Sequence, residues 1–186
     1  EALTDVAELQ ARPADVSFVI DQLSTDERFT AIADVDHLAV AGHSLGAFTA
    51  LVVGGMQAFL PGEPPLTVAD PRVDCIIAMS PPVPGVLGTT PGSWRSMDIP
   101  CLSMIGTLDY DIVTTDPNER RAAYDYSHAR DQYLVTIDDV THGVFNDSSP
   151  YRDDRISYAV NHVAVERTTA VFLDGYLRNS IAARTW

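Results

Sequence analysis

A run of 25 residues without one charged side chain, from Leu38 to Gly62, constrains the fold of this chain more than any other feature. Its length would suffice for a membrane span. His43, Ser44 and several glycines interrupt the run, however, and they disfavour a membrane helix. A strand, a sharp turn and a buried helix fit it better. We therefore expect no membrane span.

Apolar runs typical of strands alternate with helical patterns along the rest of the chain. Pro13 suits the first position of an amphipathic helix that closes near Ser24 and Thr25. The later elements are predicted as a strand at 36–41, a helix at 47–58, strands at Val73–Met79, 101–105 and 133–137, a polar segment with helical potential at 117–130, and a helix at 156–177. The inward face of the last helix is expected to carry Val160, Val163, Ala164, Val171 and Leu173.

The spacing of these elements is that of βαβ units, and the strands are continuously apolar rather than alternating. Both features favour an α/β fold with a parallel, doubly wound sheet covered on its two faces. A length of 186 residues favours a single domain. Chemistry in such sheets gathers at the carboxyl ends of the strands.

Composition excludes several partners. The formal net charge is −14, and all twelve basic residues are arginines, so an anionic nucleic acid is a poor partner.

Cys75 and Cys101 each lie in an apolar run and are expected to be buried free thiols. The histidines are scattered and the two cysteines lie in separate strands, so we expect no metal site and no cofactor. Residues 1–10 hold three acidic residues and no basic one, which is unlike a signal peptide, and the expected protein is soluble with its compartment, cytoplasmic or secreted, left open.

The strongest chemical motif is Gly42-His43-Ser44-Leu45-Gly46, which has the form G-x-S-x-G between a predicted strand and a predicted helix. In that context the pattern indicates a strained turn that exposes the serine hydroxyl above the sheet. The backbone N–H of Leu45, at the start of the helix, would then point to a developing oxyanion. Ser44 is the predicted nucleophile.

A serine nucleophile needs a base and an orienting carboxylate, and in this fold class the chain order is serine, acid, histidine. Asp109 follows the third strand and His142 follows the fourth, 65 residues and then 33 residues further along the chain. These two residues are the predicted acid and base.

Other residues compete for two of these roles. Asp111 is a second choice for the acid, and Asp116 is a weaker one. Among the histidines, His37 precedes its strand, and His128 and His162 lie in helical segments, so none of them is favoured as the base.

With these residues in place the sequence resembles an α/β-hydrolase, and more narrowly the dienelactone-hydrolase-like and platelet-activating-factor-acetylhydrolase-like branch, to which chlorophyllases and bacterial polyester hydrolases are related. The resemblance implies carboxylic-ester hydrolysis with Ser44 as nucleophile, Asp109 as acid and His142 as base. The stretches that carry it are 12–23, 42–47, 78–81, 91–94, 99–101, 106–109 and 141–147.

The resemblance departs at the front of the chain, because family members carry several strands before the segment that begins here. Those strands include the loop that supplies a second oxyanion N–H. The nucleophile strand would then be an edge with unpaired backbone groups. We expect this edge to be covered by a second copy of the chain or by a complementing N-terminal fragment.

The expected activity is hydrolysis of a small-molecule ester, with short acyl or aryl groups, through an acyl-enzyme. Other triad chemistry (thioesterase, lactonase, peptidase or acyltransferase) and a truncated, non-catalytic hydrolase-like domain are the alternatives. The substrate pocket is expected to include His43, Trp94, Met97 and Phe145.

Overall fold

A parallel sheet of four strands forms the centre of the protein in a computed structural model that describes residues 5–146 and 155–185. The strands lie side by side in chain order, and each pairs in parallel with the next. They are β1 (Leu38–His43), β2 (Val73–Met79), β3 (Cys101–Leu108) and β4 (Gln132–Thr141). The predicted α/β fold with a parallel sheet is confirmed.

Helices flank the sheet and connect its strands. The α-helices are α1 (Val6–Thr25), α2 (Glu27–Thr30), α3 (Leu45–Val53), α4 (Ala122–Tyr126), α5 (Arg155–Leu177) and α6 (Ile181–Arg184). Short 3₁₀ turns occupy Ser93–Ser96, Pro117–Arg121 and His142–Phe145.

Each face of the sheet carries its own apolar cluster. Successive residues of β2 divide between the two clusters, because side chains alternate across a strand. Ile76 packs in a cluster with Phe48 of α3, whereas Ile77 packs in a second cluster with Phe172 of α5. The sheet is therefore buried on both faces, which explains why its strands are apolar without alternation.

The two cysteines are free and buried, as predicted. Cys75 belongs to the cluster on the α5 side and Cys101 to the cluster that contains α3, so the thiols lie on opposite faces of the sheet. Burial raises the pKa of each thiol to about 12. Both are inert as nucleophiles at neutral pH, since the thiolate is the reactive form.

Helix α1 begins earlier than predicted. Asp5 caps it, accepting hydrogen bonds from the N–H groups of Ala7 and Glu8 at 3.0 and 3.2 Å. Pro13 therefore lies inside the helix rather than at its first position, and it is buried beside Leu9. The apolar spacing that follows Pro13 is correct, but the capping signal lies eight residues upstream of it.

Several element bounds also differ from those predicted. Strand β1 runs through Gly42 to His43, because these residues pair with Ala78 and Met79 of β2. The bounds of α3 shift towards the N-terminus. The helix ends at Val53, and Gly54 caps it at a position where a Cβ would lie 1.7 Å from the side chain of Ile76. Strands β3 and β4 are both longer than expected.

The inward face of α5 was predicted only in part. Leu173 packs against the sheet as expected, together with Phe172. Val160 and Val163 are 62% and 43% exposed, because the core contacts of the helix come from its C-terminal half.

Candidate active site

The turn from β1 into α3 holds Ser44 in a strained conformation, with φ 56° and ψ −115°. A serine at positive φ is costly, so the surrounding structure must hold it there. The N–H of Ser44 donates to the carbonyl of Met79 at 2.9 Å, and the carbonyl of Ser44 accepts from Ala47 and Phe48 at the start of the helix. This is the strand–turn–helix geometry expected of the motif, with Leu45 as the first helical residue.

The two glycines of the motif have different surroundings. A Cβ on Gly42 would lie 2.1 Å from the carbonyl oxygen of Gly46, so only glycine fits at position 42. A Cβ on Gly46 would meet no atom within 4 Å. The close approach of strand and helix therefore depends on the first glycine alone.

Asp109 and His142 meet beyond the ends of β3 and β4. The Asp109 side chain is fully buried, and its Oδ1 lies 2.7 Å from Nδ1 of His142. Gly106 allows this approach, because a Cβ there would lie 2.0 Å from the carbonyl oxygen of Val140 on β4. The hydrogen bond leaves Nε2 of His142 as the ring atom available to a reacting group.

Ser80 supports Asp109 from the end of β2. Its hydroxyl donates to Oδ2 of Asp109 at 2.5 Å, and its own φ is 49°. Both carboxylate oxygens of Asp109 are thus occupied, one by an imidazole and one by a hydroxyl.

Arg120 lies on the far side of Asp109 and is 2% exposed. Its Nε is 3.0 Å from the backbone oxygen of Asp109 and 3.1 Å from Oδ1, and its Nη1 donates to the carbonyls of Ser80 and Pro81. Its Nη2 donates to Oδ2 of Asp111 at 2.6 Å. This one guanidinium therefore connects the ends of β2 and β3.

Asp111, the second choice for the acid, contacts Arg120 rather than His142. Burial works against ionisation of Asp111, but hydrogen bonds from the Val113 N–H, Arg120 and the Thr114 N–H outweigh it and lower the pKa of the carboxyl. Asp111 is therefore an ionised partner of the arginine.

His43 lies against the candidate base. Its ring centroid is 4.6 Å from that of His142 and 5.8 Å from that of Phe145. Burial, and after it the neighbouring His142, lowers the pKa of His43. Its Nε2 is buried and has no hydrogen-bond partner within residues 5–146 and 155–185. His43 is thus a neutral ring that packs beside His142, and Phe145 extends the same aromatic wall.

Trp94 and Met97 do not lie in that wall. Both are buried in the core cluster of α3, and Trp94 stacks on Tyr126 with a centroid distance of 6.2 Å. Their assignment to the substrate pocket finds no support in this placement, because the packing against the sheet accounts for the burial of both side chains.

A cavity of about 30 Å³ adjoins Ser44. Its walls come from the loops after β2 and β3, which bring mostly apolar side chains, including Val86 and Leu87. Thr114 also lines it, and the Thr114 hydroxyl is buried with no hydrogen-bond partner in the described part of the chain. The remaining lining residues are Leu45, Ser80, Pro82, Val83, Asp111, Val113 and Arg120.

The other candidate residues lie away from this group. His37 pairs with Asp34 at 3.0 Å before β1 begins. Asp116 caps the 3₁₀ turn at Pro117–Arg121. His128 is exposed after α4, and His162 lies within α5.

Ser80 and Arg120 are site residues that the sequence analysis missed. Ser80 directly follows β2, and the rule that polar residues at carboxyl ends of strands form sites could have singled it out. Arg120 carried no such signal, because an arginine in the polar segment 117–130 reads as a solvated side chain.

No group of three or more histidine, cysteine or acidic side chains within residues 5–146 and 155–185 is arranged to hold a metal ion. In the same part of the chain, no helix combines the length and the apolar character needed to cross a membrane.

Comparison with known proteins supports the fold. No family model matches the chain, and a search of curated proteins finds no match. The chain is similar in structure to a solved protein described as a truncated form of a carbohydrate esterase from gut microbiota. The two share 14% sequence identity at a TM-score of 0.51, over 88% of this chain and 69% of the other. At this identity the likeness shows a shared α/β fold.

Proposed function

We propose that this chain forms one catalytic domain that hydrolyses carboxylic esters through a Ser44–His142–Asp109 triad. The observation that carries the proposal is the 2.7 Å contact between Asp109 and His142. It lies at the carboxyl ends of the strands, where Ser44 occupies its strained turn. Three residue types in the order serine, acid, histidine follow three strands of one sheet. The structural likeness to a carbohydrate esterase supports a hydrolase of this general kind.

In the proposed reaction the Ser44 oxygen attacks the ester carbonyl while Nε2 of His142 takes the hydroxyl proton. The tetrahedral intermediate carries its negative charge on the former carbonyl oxygen, towards which the Leu45 N–H is directed. Its collapse breaks the bond to the alcohol, which leaves with the proton from His142. Water then releases the acid from Ser44 by the same two proton transfers.

The cavity beside Ser44 supports a small substrate group. Its volume of about 30 Å³ exceeds the space that one water molecule needs but is far below that of a drug-sized site. A space of this size suits an acetyl or similarly short acyl group. We therefore propose short-chain esters as the substrate class.

The free edge of β1 supports the proposed covering by another strand. Strand β1 has β2 on one side, and within the described residues no strand pairs with its other side. A groove of about 430 Å³ runs between this edge and α1, lined mainly by apolar residues such as Val16 and Leu23. A further strand laid here would satisfy the open backbone groups of β1. Light scattering tests this idea, since a monomer of 20.2 kDa with full activity would contradict it.

A fluorophosphonate probe tests the proposed triad directly, because it phosphonylates only an activated serine. We expect one label per chain on Ser44, with no labelling of Ser44→Ala and strongly slowed labelling of His142→Gln. Hydrolysis of p-nitrophenyl acetate should follow the same order. Labelling of another serine, or full activity of Ser44→Ala, would overturn the proposal.

A further inference from the structure

A buried cluster of alternating charges stands behind the candidate base. In order of contact it consists of His142, Asp109, Arg120 and Asp111. Arg120 and Asp109 are 3% and 0% exposed at their side chains, and Asp111 is 19% exposed. Electrostatic interactions are strong here, because little water screens them.

The charges of this cluster do not balance in the resting state. Two carboxylates face one guanidinium, which leaves a net charge of −1 while the His142 ring is neutral. When His142 takes the proton from the nucleophile, the cluster becomes neutral. The arrangement thus favours the charge that forms on the ring during the proposed reaction.

Arg120 and Asp111 act on His142 in opposite directions. The positive charge of Arg120 competes with the imidazolium for Asp109, since its Nε lies 3.1 Å from the same Oδ1 atom that contacts the ring. The negative charge of Asp111 offsets that of Arg120. Without Asp111, the positive charge of Arg120 would offset more of the negative charge of Asp109. Asp109 would then attract a proton on the His142 ring more weakly.

The second contribution of Arg120 is geometric. Its hydrogen bonds to the backbone oxygens of Ser80, Pro81 and Asp109 fix the ends of β2 and β3 relative to each other. The Ser80 hydroxyl that holds Oδ2 of Asp109 is fixed by the same contacts. A rotation of the Asp109 carboxylate would therefore break hydrogen bonds on both of its oxygens.

Among the described residues, the other titratable group that faces His142 is His43, at the end of β1. Burial keeps its ring neutral, so it adds no charge. Asp109 contacts the ring directly, and Arg120 and Asp111 act through Asp109.

We propose that Arg120 and Asp111 are paired positioning residues, which hold the Asp109 carboxylate in place and tune its attraction for a proton on His142. This inference rests on the proposed function for its role in catalysis. It goes beyond the triad, because it gives a function to two charged residues that contact neither the nucleophile nor the base.

Three variants separate the charge from the geometry. In Asp111→Asn, Arg120 loses its counter-charge, and the pH midpoint at which the His142 ring gains its proton should fall by about one pH unit. In Arg120→Met, the competing cation is absent, and that midpoint should rise by a similar amount. Arg120→Lys keeps the charge but loses the forked hydrogen bonds, so it should retain the midpoint while kcat falls at least tenfold.

The midpoint is measured by NMR titration of the His142 ring in a Ser44→Ala background, and kcat and KM are measured in the active protein. Shifts of opposite sign for Asp111→Asn and Arg120→Met support the proposal, whereas equal midpoints or shifts of the same sign overturn it. If Arg120→Met fails to fold, a lower midpoint for Asp111→Asn together with an unchanged midpoint for Arg120→Lys supports the proposal. An unchanged midpoint for Asp111→Asn overturns it. The NMR readout needs no turnover, so absence of ester hydrolysis would contradict the proposed function alone.

Discussion

Gly42→Ala and Gly46→Ala, the two glycine replacements in the G-x-S-x-G turn, should have opposite effects on the stability of the protein. The sequence motif treats Gly42 and Gly46 as equivalent. In the structure, a Cβ at position 42 lies 2.1 Å from the Gly46 carbonyl oxygen and 2.8 Å from the Ala47 nitrogen. The same atom at position 46 has nothing within 4 Å, and Gly46 lies in the helix α3.

The size of each effect follows from these distances. Ordinary contact begins at 3.4 Å, so Gly42→Ala must displace the backbone at the start of α3 by about 1.3 Å. The contacts are with main chain, which cannot rotate away, so the cost should lie at or near the upper end of the roughly 1 to 3 kcal/mol that overpacking typically costs. Gly46→Ala instead removes a glycine from a helix and should stabilise the protein by about 0.5 to 1 kcal/mol.

Urea unfolding followed by far-UV circular dichroism measures both free energies. Fluorophosphonate labelling of Gly42→Ala under native conditions then reports whether Ser44 keeps its position, and we expect slower labelling because the turn itself is displaced. The reasoning fails if Gly42→Ala is as stable as the parent protein. It also fails if Gly46→Ala is destabilised as strongly as Gly42→Ala.

Two further predictions concern side chains whose surroundings are clear. Arg72 donates hydrogen bonds to Asp70 at 2.6 and 2.9 Å and lowers the pKa of that carboxyl from 3.8 to about 2. The resulting stabilisation is complete above about pH 4 and is lost as the pH falls towards 2. Asp70→Asn should therefore lower the free energy of unfolding by about 1 kcal/mol at pH 7 and by progressively less in acid. Urea titrations at several pH values measure this dependence. Equal costs at pH 7 and pH 2.5 would contradict this. Thr114→Val removes a buried hydroxyl that has no hydrogen-bond partner among the described residues. It should raise the free energy of unfolding by about 1 kcal/mol in urea titrations, whereas a loss of stability would reveal a hydrogen bond to Thr114.

The sequence predicts those parts of the fold whose signal is local. Strand β2 begins and ends at the predicted residues because its apolar run is bounded by polar residues and prolines. Asp109 and His142 were predicted because each follows a strand, and the carboxyl ends of parallel strands share one edge. In the structure Nδ1 of His142 and Oδ1 of Asp109 lie 2.7 Å apart.

Features that depend on a distant partner were missed. Gly42 looks like a strand breaker, yet it pairs with Ala78 because β2 lies beside it. Arg120 looks solvated, and its burial depends on carbonyls about 40 residues earlier in the chain. Val160 suits an inward helix face, but the core contacts of α5 lie nearer its C-terminus.

The order of the strands has a consequence for folding. Each strand lies beside the strand that precedes it in the chain, so the sheet can grow by one βα unit at a time. Paired strands are about 25 to 35 residues apart in the chain, so each new pairing closes one crossover connection rather than a loop that spans the whole sheet. Strand β4 is the last in this order, and only its docking brings His142 to Asp109. Ser44 would therefore become chemically reactive at the end of folding. The time course of this reactivity during refolding would report when β4 docks on the sheet.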